Sequence, residues 1–181
     1  MSGQKPFPLQ KLVLSALLLA FDVVFTRLLA INGTLVKLGF GFAAVALCAM
    51  LYGPAWTALV AALGDLVGAL LFPTGAYFPG FTLTAALTGL LFGLCLYRRP
   101  VRWGNAFLAA FLNCLLVTLL LNTAMLVVFF DLSLPVLLSS RVPQFFIMTA
   151  AQTLVIRGLG ASDALLRALR AKNPGDVEKK P

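Results

Sequence analysis

The sequence predicts an all-α integral membrane protein, a compact bundle of six transmembrane helices, and three observations lead there. Hydrophobic residues make up 61% of the chain and charged ones 11%, whereas a soluble domain is about a quarter charged. The mean hydropathy is +0.99. The apolar residues fall into runs of about 20, the length that crosses a bilayer as a helix, and basic residues cluster in several of the breaks. At 181 residues this is one domain's worth of chain. It divides into a single membrane domain over residues 1–172 and a charged, Pro/Gly-containing tail over 173–181 whose composition predicts disorder.

The first span covers residues 9–31. It is longer than the apolar core of a signal peptide, contains Asp22 and Arg27, and lacks a small-residue cleavage site, so no cleavable signal is expected. The second covers 35–52. Gly53-Pro54 then breaks the run and opens the third, 54–72. The fourth is 79–97, the fifth 104–130, and the sixth starts at 143, with Pro143 in its first turn and Gln144 beside it.

Lysine and arginine set the orientation, because short loops rich in them stay in the cytoplasm. Lys5 and Lys11 precede the first span, Arg98, Arg99 and Arg102 join the fourth to the fifth, and Arg157, Arg167, Arg170, Lys172, Lys179 and Lys180 close the chain. With six spans all three clusters fall on one face, which places both termini in the cytoplasm. The net charge of +8 thus follows membrane orientation. The basic residues flank spans and form no stripe, so no nucleic-acid partner is expected.

Several chemistries are missing. The chain has no histidine, and Cys48, Cys95 and Cys114 lie inside apolar runs without CxxC spacing, so no metal site and no cofactor are expected. No GxxxxGK[ST], GxSxG or HExxH motif occurs, and the acidic residues are scattered, which argues against an enzyme. The two halves show no internal repeat of the kind that builds many transporters.

Sorting polar residues by depth along the spans gives an asymmetry. Asp22, Thr26, Arg27, Lys37, Asp65, Tyr77, Thr82, Asn122, Thr123, Arg141 and Gln144 fall in the outer half or its loops, while the inner half keeps chiefly Asn105 and Asn113. That pattern predicts a polar pocket opening outward and closed beneath by apolar packing. Ionisable groups inside a membrane mark functional sites by default. The alternative is that Asp22 or Asp65 pairs with Arg27 or Arg141 simply to hold helices together.

Within the first span, Ala16 and Ala20 lie four residues apart on one face. At about 100° per residue, Asp22 falls about 200° around from Ala20. If Asp22 looks into the bundle, the alanine seam looks out and offers a docking surface. Arg27 returns to the alanine side of a straight helix, so an inward role for it requires a bend or the helix end. The other conspicuous stretch is residues 64–82, where Asp65 sits in an apolar run ahead of a Pro/Gly-rich loop carrying Tyr77. Irregular backbone at a membrane survives where it is packed in protein or lines a cavity, so this stretch reads as one wall and the gate of a ligand site.

Six short spans, the Ala16-x-x-x-Ala20 face, Gly53-Pro54, Gly64-Asp65 and the run Pro73-Thr74-Gly75-Ala76-Tyr77-Phe78-Pro79-Gly80-Phe81-Thr82 resemble the substrate-binding S components of energy-coupling factor (ECF) vitamin transporters. Within that family the resemblance is greatest to the folate-specific members. It implies capture of an extracellular vitamin, then delivery by association with a transmembrane coupling protein and two cytoplasmic ATPases. It also implies that the Ala16 and Ala20 face docks the coupling protein. Folate fits the polar inventory: a carboxylate suits the donor edge of its pterin, with Asp65 the first choice and Asp22 the second. Tyr77, Phe78 and Phe81 suit its rings, and Arg27, Lys37 or Arg141 its glutamate tail, with Asn122 and Gln144 as further donors. Another vitamin such as riboflavin or thiamine, or a non-transport role as scaffold or intramembrane enzyme, are the competing readings.

Overall fold

Backbone breaks at glycine and proline set the corners of the molecule. The computed structural model describes residues 9–28, 31–32, 37–73, 78–130 and 134–161. Helix α1, Leu9–Val23, runs on into a π-helical turn, Val24–Leu28. A two-residue antiparallel ladder follows, β1 at Ile31–Asn32 and β2 at Lys37–Leu38, pairing Ile31 with Leu38 and Asn32 with Lys37. Helix α2 is Phe42–Tyr52 and α3 is Pro54–Leu71. Between them Gly53 takes φ 84°, a left-handed value that a side chain disfavours. Pro54 then opens α3, where its missing N–H costs nothing.

Helix α4, Pro79–Leu96, returns along α3. Their backbones touch at Gly89 and Gly93: a Cβ on Gly89 would stand 2.6 Å from the Thr57 carbonyl oxygen, and one on Gly93 2.6 Å from the Pro54 nitrogen. This small-x3-small spacing lets two membrane helices approach closely. Helix α5, Trp103–Leu112, continues through a π-helical segment, Asn113–Leu121, into α6, Asn122–Phe130. Helix α7 is Leu134–Ala161.

Three expectations change. The described residues are helical apart from the small hairpin and short connections, and the hairpin takes up residues expected to begin the second span. That helix starts at Phe42 because Gly41 must pack against Asp22 and Thr26, where a Cβ would collide with both side chains. The last helix begins at Leu134, so Pro143 lies inside it and Gln144 is not in its first turn. A proline within a membrane helix is tolerated where neighbouring groups satisfy the freed carbonyl. Among the described residues, four helical stretches are long and apolar enough to cross a membrane: Leu9–Arg27, Pro54–Leu71, Pro79–Leu96 and Trp103–Phe129. At about 1.5 Å per residue, α2 with its 11 residues reaches about half of a hydrocarbon core some 30 Å thick.

The helices alternate in direction, giving the bundle two distinct ends. At one, Lys11 lies over the Trp56 ring, Val101 packs at Gly160, and Arg157 faces Trp103. Arg98, Arg99 and Arg102 follow α4 here. The hydrophobic core sits toward this end, built from Ala46, Ala49, Met50, Phe92, Leu96, Ala106, Ala109, Ala110 and Ile156. Its many alanines bring α2, α4, α5 and α7 close together. The other end holds Asp22, Arg27, Asp65 and Thr82. The predicted tail, 173–181, lies outside the described residues, as do Lys5 and the basic residues beyond Ala161.

Candidate functional site

The polar end is assembled through glycine. Helix α3 turns Gly64 and Gly68 toward α1: a Cβ on Gly64 would lie 2.7 Å from Asp22 Oδ2, and one on Gly68 3.1 Å from Arg27 Nε. Asp22 and Arg27 therefore lie directly on the α3 backbone. On a straight helix Arg27 would project with Ala16 and Ala20, away from the bundle. The π-helical turn over Val24–Leu28 changes the rotation per residue, and Arg27 comes inward to Asp65.

The Arg27 Nη2 donates to Asp65 Oδ1 at 3.3 Å, with the two side chains 16% and 21% exposed. Thr82, in the first turns of α4, donates its hydroxyl to Asp65 Oδ2 at 2.9 Å. Both Asp65 oxygens are thus engaged, and the contact ties three elements together. Asp22 differs. Its Oδ1 accepts from the Thr26 hydroxyl at 3.2 Å, one turn along its own helix, and no cation pairs with it among the described residues. It lines a crevice with apolar residues such as Leu18, Val45 and Val60, too narrow for a water molecule. Two carboxylates and one guanidinium leave the cluster with an excess of acceptors.

Aromatic residues form the adjoining wall. Phe78, just before α4, lies against Phe129 of α6 with ring centroids 4.3 Å apart, and meets Phe81 edge-on at 6.1 Å. A Cβ on Gly80 would strike Phe78 and Met125. A second polar group lies along α6 and α7. Gln144 is buried, Arg141 Nη1 donates to the Thr118 carbonyl at 3.5 Å, and Asn122 Oδ1 and Thr123 Oγ1 are buried without a hydrogen-bond partner among the described residues.

Of the residues expected from sequence, the structure thus brings together Asp22, Arg27 and Asp65, and sets Phe78 edge-on to Phe81. Arg141, Asn122 and Gln144 belong to the α6 and α7 side. Lys37 has its backbone in β2, and its side chain, Tyr77 and residues 74–76 of the expected gate lie outside the described residues. Ala16 and Ala20 are exposed, as is Leu12 on the same face, while Ser15 and Leu18 on the Asp22 side are buried. Thr82 as a partner of Asp65, and Gly41, Gly64 and Gly68 as the surfaces under Asp22 and Arg27, were not singled out as site residues. The spacing Gly64-x3-Gly68 was the available signal. The inner half is also less apolar than expected: Asn113 Nδ2 donates to Gln152 Oε1 at 3.2 Å in a buried pair. Among the described residues no group of three His, Cys, Asp or Glu side chains is placed to hold a metal ion.

Comparison with known proteins identifies the family. The sequence model of the family described as "ECF transporter, substrate-specific component" matches residues 10–160. A folate transporter FolT of Clostridium novyi is 35% identical over 147 residues, covering 81% of this chain and 86% of that protein. A folate transporter FolT of Leuconostoc mesenteroides is 33% identical over 122 residues, 67% of this chain and 65% of that protein. Among solved structures, FolT bound with folic acid superposes with a TM-score of 0.80 at 31% identity, covering 85% of this chain and 94% of that one. The chain belongs to the family of substrate-specific components of ECF transporters.

Proposed function

We propose that this chain captures folate from outside a bacterial cell and delivers it inward by joining a transmembrane coupling protein and two cytoplasmic ATPases. The likeness to FolT proteins, one of them solved with folic acid, is the observation that carries the choice of folate. In this reading α2 completes a crossing together with residues 37–41 that lead into it, and with α7 and the four long apolar stretches gives six crossings, with both termini in the cytoplasm. The gathering of Lys11, Arg98, Arg99, Arg102 and Arg157 at the end away from Asp22 supports that orientation, by the positive-inside rule.

In this reading Asp22 takes the place of Asp65 as first choice for the pterin edge, which the hydrogen bonding of the two carboxylates supports. Asp65 spends both oxygens on Arg27 and Thr82, so its role is to hold Arg27 in position. Asp22, with a single hydrogen bond, is the acceptor for the amino and N–H groups of the pterin edge. Phe78 and Phe81 face the rings, with Tyr77 closing over them from the 72–79 gate. Arg27, with Lys37 and Arg141, meets the carboxylates of the glutamate tail. Asn122 and Gln144 supply further hydrogen bonds. The crevice beside Asp22 is too narrow for a ligand of this size, so binding requires the loop side of the site to part.

Titration of the purified chain with folate, riboflavin and thiamine tests the substrate; tight binding of either of the other two in preference to folate overturns the proposal. Folate fragments test the roles. Asp22→Asn weakens pteroate binding by at least about tenfold, the worth of a charged hydrogen bond, and leaves p-aminobenzoylglutamate unaffected. Arg27→Gln does the converse. Equal losses on both fragments refute the assignment. For docking, replacing Ala16 and Ala20 together by leucine abolishes ATP-dependent uptake in the presence of the partner proteins and spares folate binding. Uptake at the normal rate removes the alanine face as the docking surface.

A further inference from the structure

The end of the bundle away from the site has a charge arrangement that folate capture does not use. Three of its cations rest on aromatic rings. Lys11 Nζ lies 4.1 Å from the Trp56 ring centre and 5.3 Å from that of Tyr52, the Arg98 guanidinium 5.2 Å from Tyr97, and the Arg157 guanidinium 5.8 Å from Trp103. Arg99 and Arg102 are exposed in the same region. Among the described residues no carboxylate pairs with any of the five, and the ion pair that is present, Arg27 with Asp65, lies at the opposite end.

Tryptophan and tyrosine settle at the headgroup level of a bilayer, so cations resting on such rings stand at the depth of lipid phosphates. The ring face holds each cation without neutralising it. At the start of α5 and the end of α7 this becomes a shaped site. Trp103 is 59% exposed, Arg157 lies against it, and Arg102 precedes it in the chain. A Cβ on Gly104, next to Trp103, would meet nothing within 4 Å among the described residues.

We propose that Arg102, Trp103 and Arg157 bind the phosphate headgroup of an anionic phospholipid between the ends of α5 and α7, with Lys11, Arg98 and Arg99 extending the same contact around the basic end. The phosphate accepts from the guanidinium groups, and the Trp103 ring lies along the upper acyl chain. This site is separate from the folate site and does not depend on what the chain transports.

Native mass spectrometry of the chain, released from bilayers of phosphatidylcholine with a minor fraction of phosphatidylglycerol, tests it. The expected result is retention of phosphatidylglycerol well above its share of the bilayer. Arg157→Gln and Arg102→Gln each reduce that retention by about fivefold, the worth of one cation near an anionic membrane surface. Trp103→Leu keeps the charge and also lowers retention, whereas Arg157→Lys keeps most of it. Folate affinity, measured on the same variants, stays at the parent value and reports that they are folded. Retention of the two lipids in proportion to their abundance overturns the proposal. So does full displacement of the bound lipid by millimolar inorganic phosphate, which would mark a free-anion site. Unchanged lipid retention in Arg157→Gln, together with lost association with the ATPases, would assign the surface to a protein partner instead.

Discussion

The two ends of the bundle handle charge in opposite ways. At the Asp22 end, carboxylates and a guanidinium are drawn together within the protein, laid on glycine backbone, and tied by short side-chain bonds across α1, α3 and α4. At the Lys11 end, cations stand on tryptophan and tyrosine faces and carry no internal counter-charge among the described residues. The first arrangement is closed on itself and sensitive to any single loss. The second is open, and each of its charges is nearly independent of the others. A ligand site in a membrane needs the first kind, because an unpaired charge there is costly. An interfacial end can use the second, because headgroups and water screen it.

The sharpest way to break this contrast is to remove one partner of the closed cluster. Asp65→Leu takes the carboxylate from Arg27 and leaves the Thr82 hydroxyl without its acceptor. Removing one partner of this part-buried pair costs about 2 to 3 kcal/mol, somewhat below the cost for a fully buried one, so the thermal midpoint in detergent falls by roughly 6 to 9 °C. Adding Arg27→Leu to the same chain recovers much of the loss, since apolar replacement of both partners is far less costly than half a pair. A double variant no more stable than Asp65→Leu alone means the pair is not the unit that matters. The corresponding change at the open end, Arg98→Leu, shifts the midpoint by at most about 2 °C, as exposed charges contribute little.

The glycines separate the ends in a second way. A methyl group added at Gly93 meets the Pro54 backbone, whereas one added at Gly64 meets the far end of the Asp22 side chain. Backbone cannot retreat, but a carboxylate can rotate. Gly93→Ala therefore costs about 2 kcal/mol through overpacking and is read in the thermal midpoint, with folate affinity kept in the fraction that folds. Gly64→Ala leaves the midpoint nearly unchanged, because the helix gains almost 1 kcal/mol from alanine, and lowers folate affinity at least tenfold by displacing Asp22. The opposite pattern, affinity lost at Gly93 and stability lost at Gly64, would contradict the division of labour. Thr82→Val is a milder change within the closed cluster. It removes one hydrogen bond to a charged oxygen, about 1.5 to 3 kcal/mol, and weakens binding of pteroylglutamate more than of pteroate because Asp65 then holds Arg27 less firmly.

Much of this was legible in the chain. The membrane class, the corner at Gly53-Pro54, the placing of Asp22 opposite the Ala16 and Ala20 face, and the need for a bend before Arg27 could turn inward all follow from helical geometry and composition. The bend itself did not, because a π-helical turn leaves no composition signal in Val24–Leu28. Nor could depth alone tell which carboxylate is already paired. Asp22 and Asp65 are alike by hydropathy, and only the positions of Arg27 and Thr82 on neighbouring elements distinguish them. The start of α2 was misplaced because Lys37 and Leu38 sit in an apolar run that reads as helix, while the pairing of β1 with β2 and the close fit of Gly41 under Asp22 are tertiary facts. Local propensity puts a helix start at Pro143, and tertiary packing in the membrane overrides it, so Pro143 lies inside α7.

A modest effect at the open end bounds how independent its parts are. Trp56 Nε1 donates to the Ser15 hydroxyl at 2.8 Å, and Lys11 lies over the same indole. Ser15 is buried, so Ser15→Ala leaves an indole N–H without that acceptor and costs about 1 kcal/mol. The indole nevertheless stays between α1 and α3, held by its apolar body, and Lys11 keeps its ring. A fall in the thermal midpoint of about 3 °C is expected, with folate affinity unchanged, because nothing at the Asp22 end leans on Trp56. Should folate affinity drop along with the midpoint, the two ends are coupled through α1, and the separation of a closed, ligand-facing cluster from an open, lipid-facing one fails at the helix they share.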